Sequence, residues 1–498
     1  MEGRPLEEVK RKYEGRGVRC FFVDEGECWP TALEFAKHER LTVPVLRDPL
    51  WQLPAACRSG CPGAAVLGPA GQVVDVRVFR ESGQSRAHLE SVLDAQLTRH
   101  SVRVGTAPER LRPPPPAALP TAWGAATLVS RPEARSYLPT IAASGDQVYV
   151  AWVEDVLANG RVWVRCLTDP AGRPECLTPA GADACSPELV ADRQGRLWLC
   201  WTQRDRGNYG IRVASPADGR WSEATLVSDP GDDCFGPTVT GAPDGTVVAA
   251  WLAWFTQQGA AEQPAGVPYH LRQIEASVYR KGNWSEPGPV GSVGVCEDNW
   301  DPALTVDAAG RPLLCWAHDY GNDLCLNWSR LAVGEWSRER LIGKTPRPPG
   351  VRGPAGRAWH WAPAVRTPQS GRSLAAWISR PGSGPGAWTV QAALFNGEQW
   401  SEPEGVSGDR PGGKPVVVPL GPEQFGVVWA DEPTGRPGGR VWWAARLAGK
   451  WTRPEVLVEG TANLNAAAGV DAAGRVWVAW LAGGVGAWGI YAVASERP

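Results

Sequence analysis

Residues 121–130 read TAWGAATLVS, directly after a proline run, and residues 220–228 read RWSEATLVS. A short segment beyond a linker copies the interior of the domain that follows it. Such a copy has a use if that domain is built of repeats and one repeat lacks this piece. From residue 137 onward a repeat is present. Its first part is P-x-ϕ-x-x-D-x-x-G-x-ϕ-x-ϕ-x-W, with ϕ apolar, as in PELVADRQGRLWLCW (187–201), PALTVDAAGRPLLCW (302–316) and AAAGVDAAGRVWVAW (466–480). Period-two alternation on both sides of an Asp/Gly turn is a β-hairpin signal. Looser copies complete a set of seven, ending at Trp152, Trp201, Trp251, Trp316, Trp377, Trp429 and Trp480, with spacings of 49, 50, 65, 61, 52 and 51 residues.

A period near fifty residues with alternating strands predicts a β-propeller, one four-stranded blade per repeat. Each repeat continues to an outer strand marked RWSEATLV, NWSEPGPV, EWSRERLI, QWSEPEGV or KWTRPEVL. The first has RPECLTPA there, and the seventh stops at IYAVASERP with no outer strand. TAWGAATLVS supplies it. The prediction is an all-β propeller of seven blades over 121–498, closed by an N-terminal strand so that no sheet edge is left open. The seven tryptophans recur at one blade position and are expected to pack between blades; the Asp-x-x-Gly segments are expected to be turns.

The chain as a whole is predicted to be multidomain. Residues 1–100 read as α/β: PLEEVKRKYEGR and TALEFAKHERL have helical spacing, GVRCFFVDEG and VPVLRDP are strand-like, AAVLGPAGQVVDVRVF reads as a hairpin and SRAHLESVLDAQLTRH as a closing helix. LRPPPPAALP (111–120) within 101–120 is an extended spacer. With 51 Lys+Arg against 53 Asp+Glu there is no basic excess to attract nucleic acid, and no apolar run is long enough to span a membrane. The counts of 27 Trp, 58 Gly and 46 Pro suit many short strands joined by tight turns.

Residues 4–97 resemble a thioredoxin-like domain of the redoxin/peroxiredoxin type. The resemblance rests on LEEVKRKYEGRGVRCFFVDEG, AKHERLTVPVLRDP and CPGAAVLGPAGQVVDVRVF, with Cys61-Pro62 at the family's cis-proline loop. It implies an incomplete domain, because the family's first strand and nucleophilic cysteine would fall upstream of Met1. Either the true start lies upstream or the domain is a degenerate remnant. Cys28, Cys57, Cys61 and Pro62 are the residues that could keep a redox role, the alternative being small buried thiols. Location follows the same fork: cytoplasmic as the chain stands, periplasmic or secreted with a longer start.

The repeats resemble sialidase-like propellers with BNR/Asp-box repeats, SPADGRW (215–221) approaching their Ser-x-Asp-x-Gly-x-x-Trp turn. The resemblance implies architecture only, since the Arg-Ile-Pro signature, an arginine triad and a Tyr/Glu nucleophile pair are missing.

In a propeller, the loops before each first strand and after each second strand share one face. Those segments break the repeat here. They bring Tyr137, Asp183, Asp233 and Phe235 together with EDNWDP (297–302), AHDYGND (317–323) and AWHWAP (358–363). The candidate ligand site is therefore these four residues with Asp298, Asn299, Trp300, Asp301, His318, Asp319, Tyr320, Trp359, His360 and Trp361. Aromatic faces with carboxylates and amides suit a carbohydrate or an extended peptide. No motif demands a cofactor, although the same acids could hold Ca²⁺. The leading expectation is a monomeric, non-catalytic binding propeller for a glycan or protein partner. The alternatives are a sialidase-like glycoside hydrolase working through paired carboxylates and a thiol–disulfide oxidoreductase whose active-site segment lies upstream.

Cys166 and Cys176 are symmetric about Ala171, and Cys315 and Cys325 about Tyr320. Hairpins centred there would put each pair opposite, at the short end of disulfide geometry; the alternative is unpaired small residues.

Overall fold

The computed structural model describes residues 11–13, 22–24, 45–47, 63–67, 73–78, 91–95, 123–156, 159–205, 207–217, 219–257, 269–291, 298–319, 324–343, 358–368, 371–381, 388–431, 439–459, 463–484 and 487–496. The chain divides into two compact units, Met1–Arg110 with Pro433–Pro437 and Leu111–Glu432 with Gly438–Pro498.

In the first unit, Phe22–Asp24 pairs in parallel with Val45–Arg47, and Gly63–Leu67 pairs antiparallel with Val73–Val78. Residues 11–13 and 91–95 are helical. Tyr13 is fully buried and donates its hydroxyl to Asp94 at 2.9 Å. A complete thioredoxin-like sheet is not among the described residues, and Cys28, Cys57, Cys61 and Pro62 lie outside them.

The second unit is a seven-bladed β-propeller. Blade 1 has first, second and third strands Arg135–Ser144, Gln147–Val156 and Asn159–Cys166, and blade 2 has Ala184–Ala191, Leu197–Asp205 and Asn208–Ala214. Blades 3 and 4 are Asp233–Gly241, Val247–Gln257 and Tyr269–Arg280, then Asp298–Val306, Pro312–Asp319 and Leu324–Ala332. Blade 5 has Ala358–Arg366, Ser373–Pro381 and Thr389–Phe395, and blade 6 Val416–Gly421, Gln424–Ala430 and Arg440–Leu447. Blade 7 has Asn463–Val470, Val476–Gly484 and Ala487–Ala494. The first strands of all seven stand around a central channel.

The outer strand of blade 7 is Thr127–Leu128, which pairs with Ala492 and Tyr491. Thr225–Leu226 does the same in blade 2 against Val213 and Arg212, and the repeated letters have matching bonds. Val129 N donates to Ile490 O at 2.8 Å, as Val227 N does to Ile211 O at 2.9 Å. Ser130 Oγ accepts from Ile490 N and Ser228 Oγ from Ile211 N, both at 3.0 Å. A buried backbone N–H needs an acceptor where the outer strand stops, and the serine supplies one.

The Trp-Ser/Thr marks have a second role. The third strand turns back through a tight hairpin, as at Arg280–Asn283, and the outer strand then leaves the ladder before rejoining it. At that break Ser285, Ser337, Ser401 and Thr452 accept the third-strand N–H of Val278, Arg330, Leu394 and Ala445 at 3.0–3.2 Å.

All seven repeat tryptophans are at most 1% exposed. Trp201 packs on Ala151, Val153 and Val162 of blade 1, Trp377 on Leu313, Cys315 and Leu326 of blade 4, and Trp480 on Val418, Val428 and Val441 of blade 6. Each therefore seals its blade to the preceding one.

The expected facing cysteines are not found. Cys166 stands opposite Tyr149 and Cys176 opposite Trp163; Cys315 stands opposite Trp328 and Cys325 opposite His318. All four are free thiols. The first hairpin is recentred by Asp169, whose carboxylate accepts from Ala171 N and whose carbonyl accepts from Gly172 N, both at 2.9 Å. That local turn sets the register there and leaves Cys166 and Cys176 staggered.

Candidate functional site

Six first strands carry the same irregularity near their starts. The register against the second strand shifts at Tyr137/Thr140, Cys185/Glu188, Phe235/Thr238, Trp300/Ala303, Trp361/Ala364 and Leu464/Ala467. Within each shift one residue is left-handed: Leu138, Ser186, Gly236, Asp301, Ala362 or Asn465, with φ between 45° and 55°. For non-glycine residues this costs on the order of 1–3 kcal/mol. Bulges re-aim side chains, and here they gather equivalent positions of neighbouring blades around one mouth of the channel.

Phe235, Trp300 and Trp361 hold such positions on blades 3, 4 and 5. Phe235 packs edge-on against Trp254 with ring centroids 5.9 Å apart. The Arg272 guanidinium lies 4.5 Å from the Trp254 centroid and 3.5 Å from that of Trp300. Trp300 meets Trp361 at 5.6 Å, and Trp361 Nε1 donates to Asp301 Oδ2. Asp301 Oδ1 is 3.6 Å from the ammonium of Lys414 on blade 6. One continuous wall of rings and cations thus runs across four blades.

Deeper in the channel, Glu188 of blade 2 faces Arg366 of blade 5, with Oε1 and Nη2 3.5 Å apart. Burial pushes the Glu188 carboxyl up, against the pull of Arg366, Lys414 and the Thr238 hydroxyl. A carboxyl biased toward its protonated form below a ligand-sized mouth can donate a hydrogen bond or a proton.

Of the residues expected from sequence, Trp300, Asp301, Trp361 and Phe235 meet in this wall. Asp183 and Asp233 instead anchor Tyr209, taking its hydroxyl at 2.5 Å and its N–H at 2.8 Å. Tyr209 then packs on Phe235 with centroids 5.4 Å apart. Burial beside Asp183 raises the phenol's pKa. Tyr137 is half-buried against the core of blades 1 and 2. Asp298 and Asp319 stand opposite each other at the rim of blade 4. Trp359 is on the first strand of blade 5 opposite Arg380, and Tyr320 lies outside the described residues.

Three expected ligand residues are corrected to structural roles. Asn299 and His318 are at most 1% exposed; Asn299 Oδ1 meets His318 Nδ1 at 2.7 Å and Asn299 Nδ2 donates to Arg272 O at 3.1 Å. His360 Nδ1 accepts from Trp377 Nε1 at 3.0 Å, and burial pushes the imidazole down to about 4. Glu154 and Asn463 accept from Trp152 and Trp480 in the same way, each at 3.1 Å. His360, Glu154 and Asn463 thus satisfy the indole N–H of Trp377, Trp152 and Trp480, which cannot be buried unpaired cheaply.

Trp254, Arg272, Lys414, Glu188 and Arg366 were not among the sequence candidates. Glu188 and Arg366 had a legible signal: Glu188 directly follows Pro187, where other blades carry Thr140, Thr238, Ala303 or Ala364, and Arg366 is third after Pro363, where others carry Ala142, Val190, Thr240 or Thr305. Trp254 and Arg272 lie within long apolar strands and had none. Among the described residues no group of three or more His, Cys, Asp or Glu converges to hold a metal ion, and no described helix is long and apolar enough to cross a membrane.

No family model and no curated protein matches the chain. Solved structures do. An ulvan lyase of polysaccharide lyase family PL25, bound to -[GlcA(1-4)Rha3S]-, superposes with a TM-score of 0.51 at 10% identity, covering 72% of this chain and 93% of that one. A protein of unknown function from Dyadobacter fermentans gives 0.45 at 15% identity over 63% of this chain and 95% of that one. A Hadza microbial sialidase gives 0.41 at 14% over 70% and 76%. At 10% identity the likeness to the ulvan lyase is one of fold alone.

Proposed function

We propose that the propeller is a carbohydrate-binding module that takes a glycan chain at the channel mouth without cleaving it. The observation that supports this is the wall formed by Phe235, Trp254, Arg272, Trp300 and Trp361. Sugar rings present apolar C–H faces that stack on such surfaces, while Asp301, Lys414 and Arg272 meet hydroxyls or acidic substituents. The ulvan lyase of similar fold is itself bound to a saccharide, which agrees with this reading without carrying it. A glycan array and a protein pull-down, each run on wild type and Trp300→Ala, separate a carbohydrate ligand from a protein partner. Retention of saccharides by wild type alone is the expected outcome; retention only of a protein overturns it.

One observation favours a second reading, glycoside hydrolysis. Glu188 is a half-buried carboxyl, beside Arg366, with a raised pKa, the property a general acid needs. Turnover of a bound glycan by wild type, lost in Glu188→Gln with binding intact, selects this reading over the first.

The remaining assignments are of the same kind. The propeller acts as a monomer, checked by light scattering, and needs no metal, although its acids suit Ca²⁺; a lower melting temperature in EDTA contradicts that. SPADGRW is an Asp-box-like turn. The N-terminal unit is a thioredoxin-like accessory domain without exchange activity, and dithiol turnover lost on Cys61→Ser contradicts this.

A further inference from the structure

Where the first strands run into their turns, away from the aromatic mouth, the channel encloses a cavity of about 200 Å³. All seven blades line it. Ile141, Leu189, Val239 and Val417 are among the lining residues. Its polar side chains are the guanidiniums of Arg193 and Arg366 and the hydroxyls of Thr240, Thr305 and Thr367, with no Asp or Glu among the described lining residues.

The two cations are held in place. Arg193 reaches from the turn of blade 2 to donate to the Asp307 carbonyl of blade 4 at 3.1 Å. Arg366 donates to the Val365 and Leu304 carbonyls at 2.9 and 3.4 Å. The Thr305 and Thr367 hydroxyls are 3.2 Å apart, and Thr367 donates to Ser373 at 2.8 Å. A guanidinium carries five N–H donors in a planar fork, and backbone carbonyls take a minority of those of Arg193. Both guanidiniums are half-buried, and withdrawing charge from water without a counter-charge is costly. Glu188, 3.5 Å from Arg366 on the far side of that guanidinium, neutralises at most one of the two cations, and burial weakens its hold on negative charge.

We propose that this cavity binds a small tetrahedral oxyanion, inorganic phosphate or sulfate. Guanidinium forks match the oxygen edges of such ions, and the Thr240 hydroxyl supplies a further donor. The volume leaves room for a few waters beside the anion. The site lies beyond the mouth, to which the Arg366–Glu188 pair links it, and does not depend on which ligand is assigned there.

Isothermal titration of the full chain with sodium phosphate and with sodium sulfate, at millimolar concentration and fixed ionic strength, tests it. Saturable binding of one or both is expected, and the tighter one names the ion. Arg193→Gln should weaken it at least about tenfold, the loss of a charge-assisted hydrogen bond. Arg366→Gln should do the same; should that variant fail to fold, Thr240→Val with unchanged circular dichroism serves as the second probe. No saturable binding of either anion by wild type, or unchanged affinity in Arg193→Gln, overturns the proposal.

Discussion

The Arg272 guanidinium carbon lies 3.5 Å from the centroid of the Trp300 ring. The same cation covers Trp254, so one side chain from the third strand of blade 3 organises aromatics of two blades. A stacked guanidinium is worth roughly 0.5–2 kcal/mol, depending on desolvation. Lysine keeps the charge and loses the planar stack. Arg272→Lys is therefore expected to weaken saccharide binding several-fold while moving the melting temperature little. A melting temperature that falls as far as the affinity makes the stack purely structural.

Closure of the ring rests on the segment before blade 1. Ser130 is buried and its hydroxyl accepts from Ile490 N. Ser130→Ala leaves that N–H without an acceptor and should cost about 1–3 kcal/mol. Ser228→Ala should cost the same, because Ser228 is the same residue of the repeat in blade 2. Ser222 accepts the Ser215 N–H at 3.2 Å but at an exposed position where water can replace it, so Ser222→Ala should stay within about 0.5 kcal/mol of wild type. Denaturant midpoints check all three, and equal effects at Ser130 and Ser222 contradict the account.

Trp123, from the closing segment, packs edge-on against Trp443 of blade 6 with centroids 6.1 Å apart. Trp443 has space because Gly426 on the neighbouring strand has no side chain; a Cβ there would lie 1.9 Å from the indole. Gly426→Ala should destabilise by about 1–3 kcal/mol or more through overpacking. The double variant Gly426→Ala/Trp443→Phe should recover part of the loss, and no recovery in chemical denaturation rejects this cause.

The pH response of stability has a definite sign at His360. Burial sets its folded pKa at about 4, below the unfolded value near 6.5. Stability from the neutral ring is complete above about 6.5 and is lost as pH falls toward 4, by roughly 3 kcal/mol at most. Glu188 acts oppositely: its folded pKa is raised, so its contribution grows as pH falls through that raised value. Melting temperatures at pH 7 and 4.5 should drop less in His360→Gln than in wild type. An equal drop assigns the acid sensitivity elsewhere.

The repeat tryptophans, the blade count and the borrowed outer strand were legible because packing and pairing at those positions recur in every blade. The hairpin register at Cys166 and Cys315 was not, since a turn such as that at Asp169 shifts pairing without changing composition. The site was half legible. Trp300, Asp301 and Trp361 stand out as departures from the repeat. Asn299, His318 and His360 stand out equally, yet Asn299 and His318 bond each other and His360 bonds the Trp377 indole. Spacing places a residue near the mouth; the bulge and the indole N–H decide which way it faces.

The central claim is that saccharides dock on the Trp300–Trp361 wall. Calorimetric titration of the strongest glycan from the array into wild type and Trp300→Ala tests it most directly, with melting temperatures recorded on the same samples. The account predicts binding weaker by roughly 1–3 kcal/mol in the variant, the scale of an anchoring aromatic, and a melting temperature within a few degrees of wild type. Unchanged affinity, or a loss matched by collapse of the melting temperature, contradicts it.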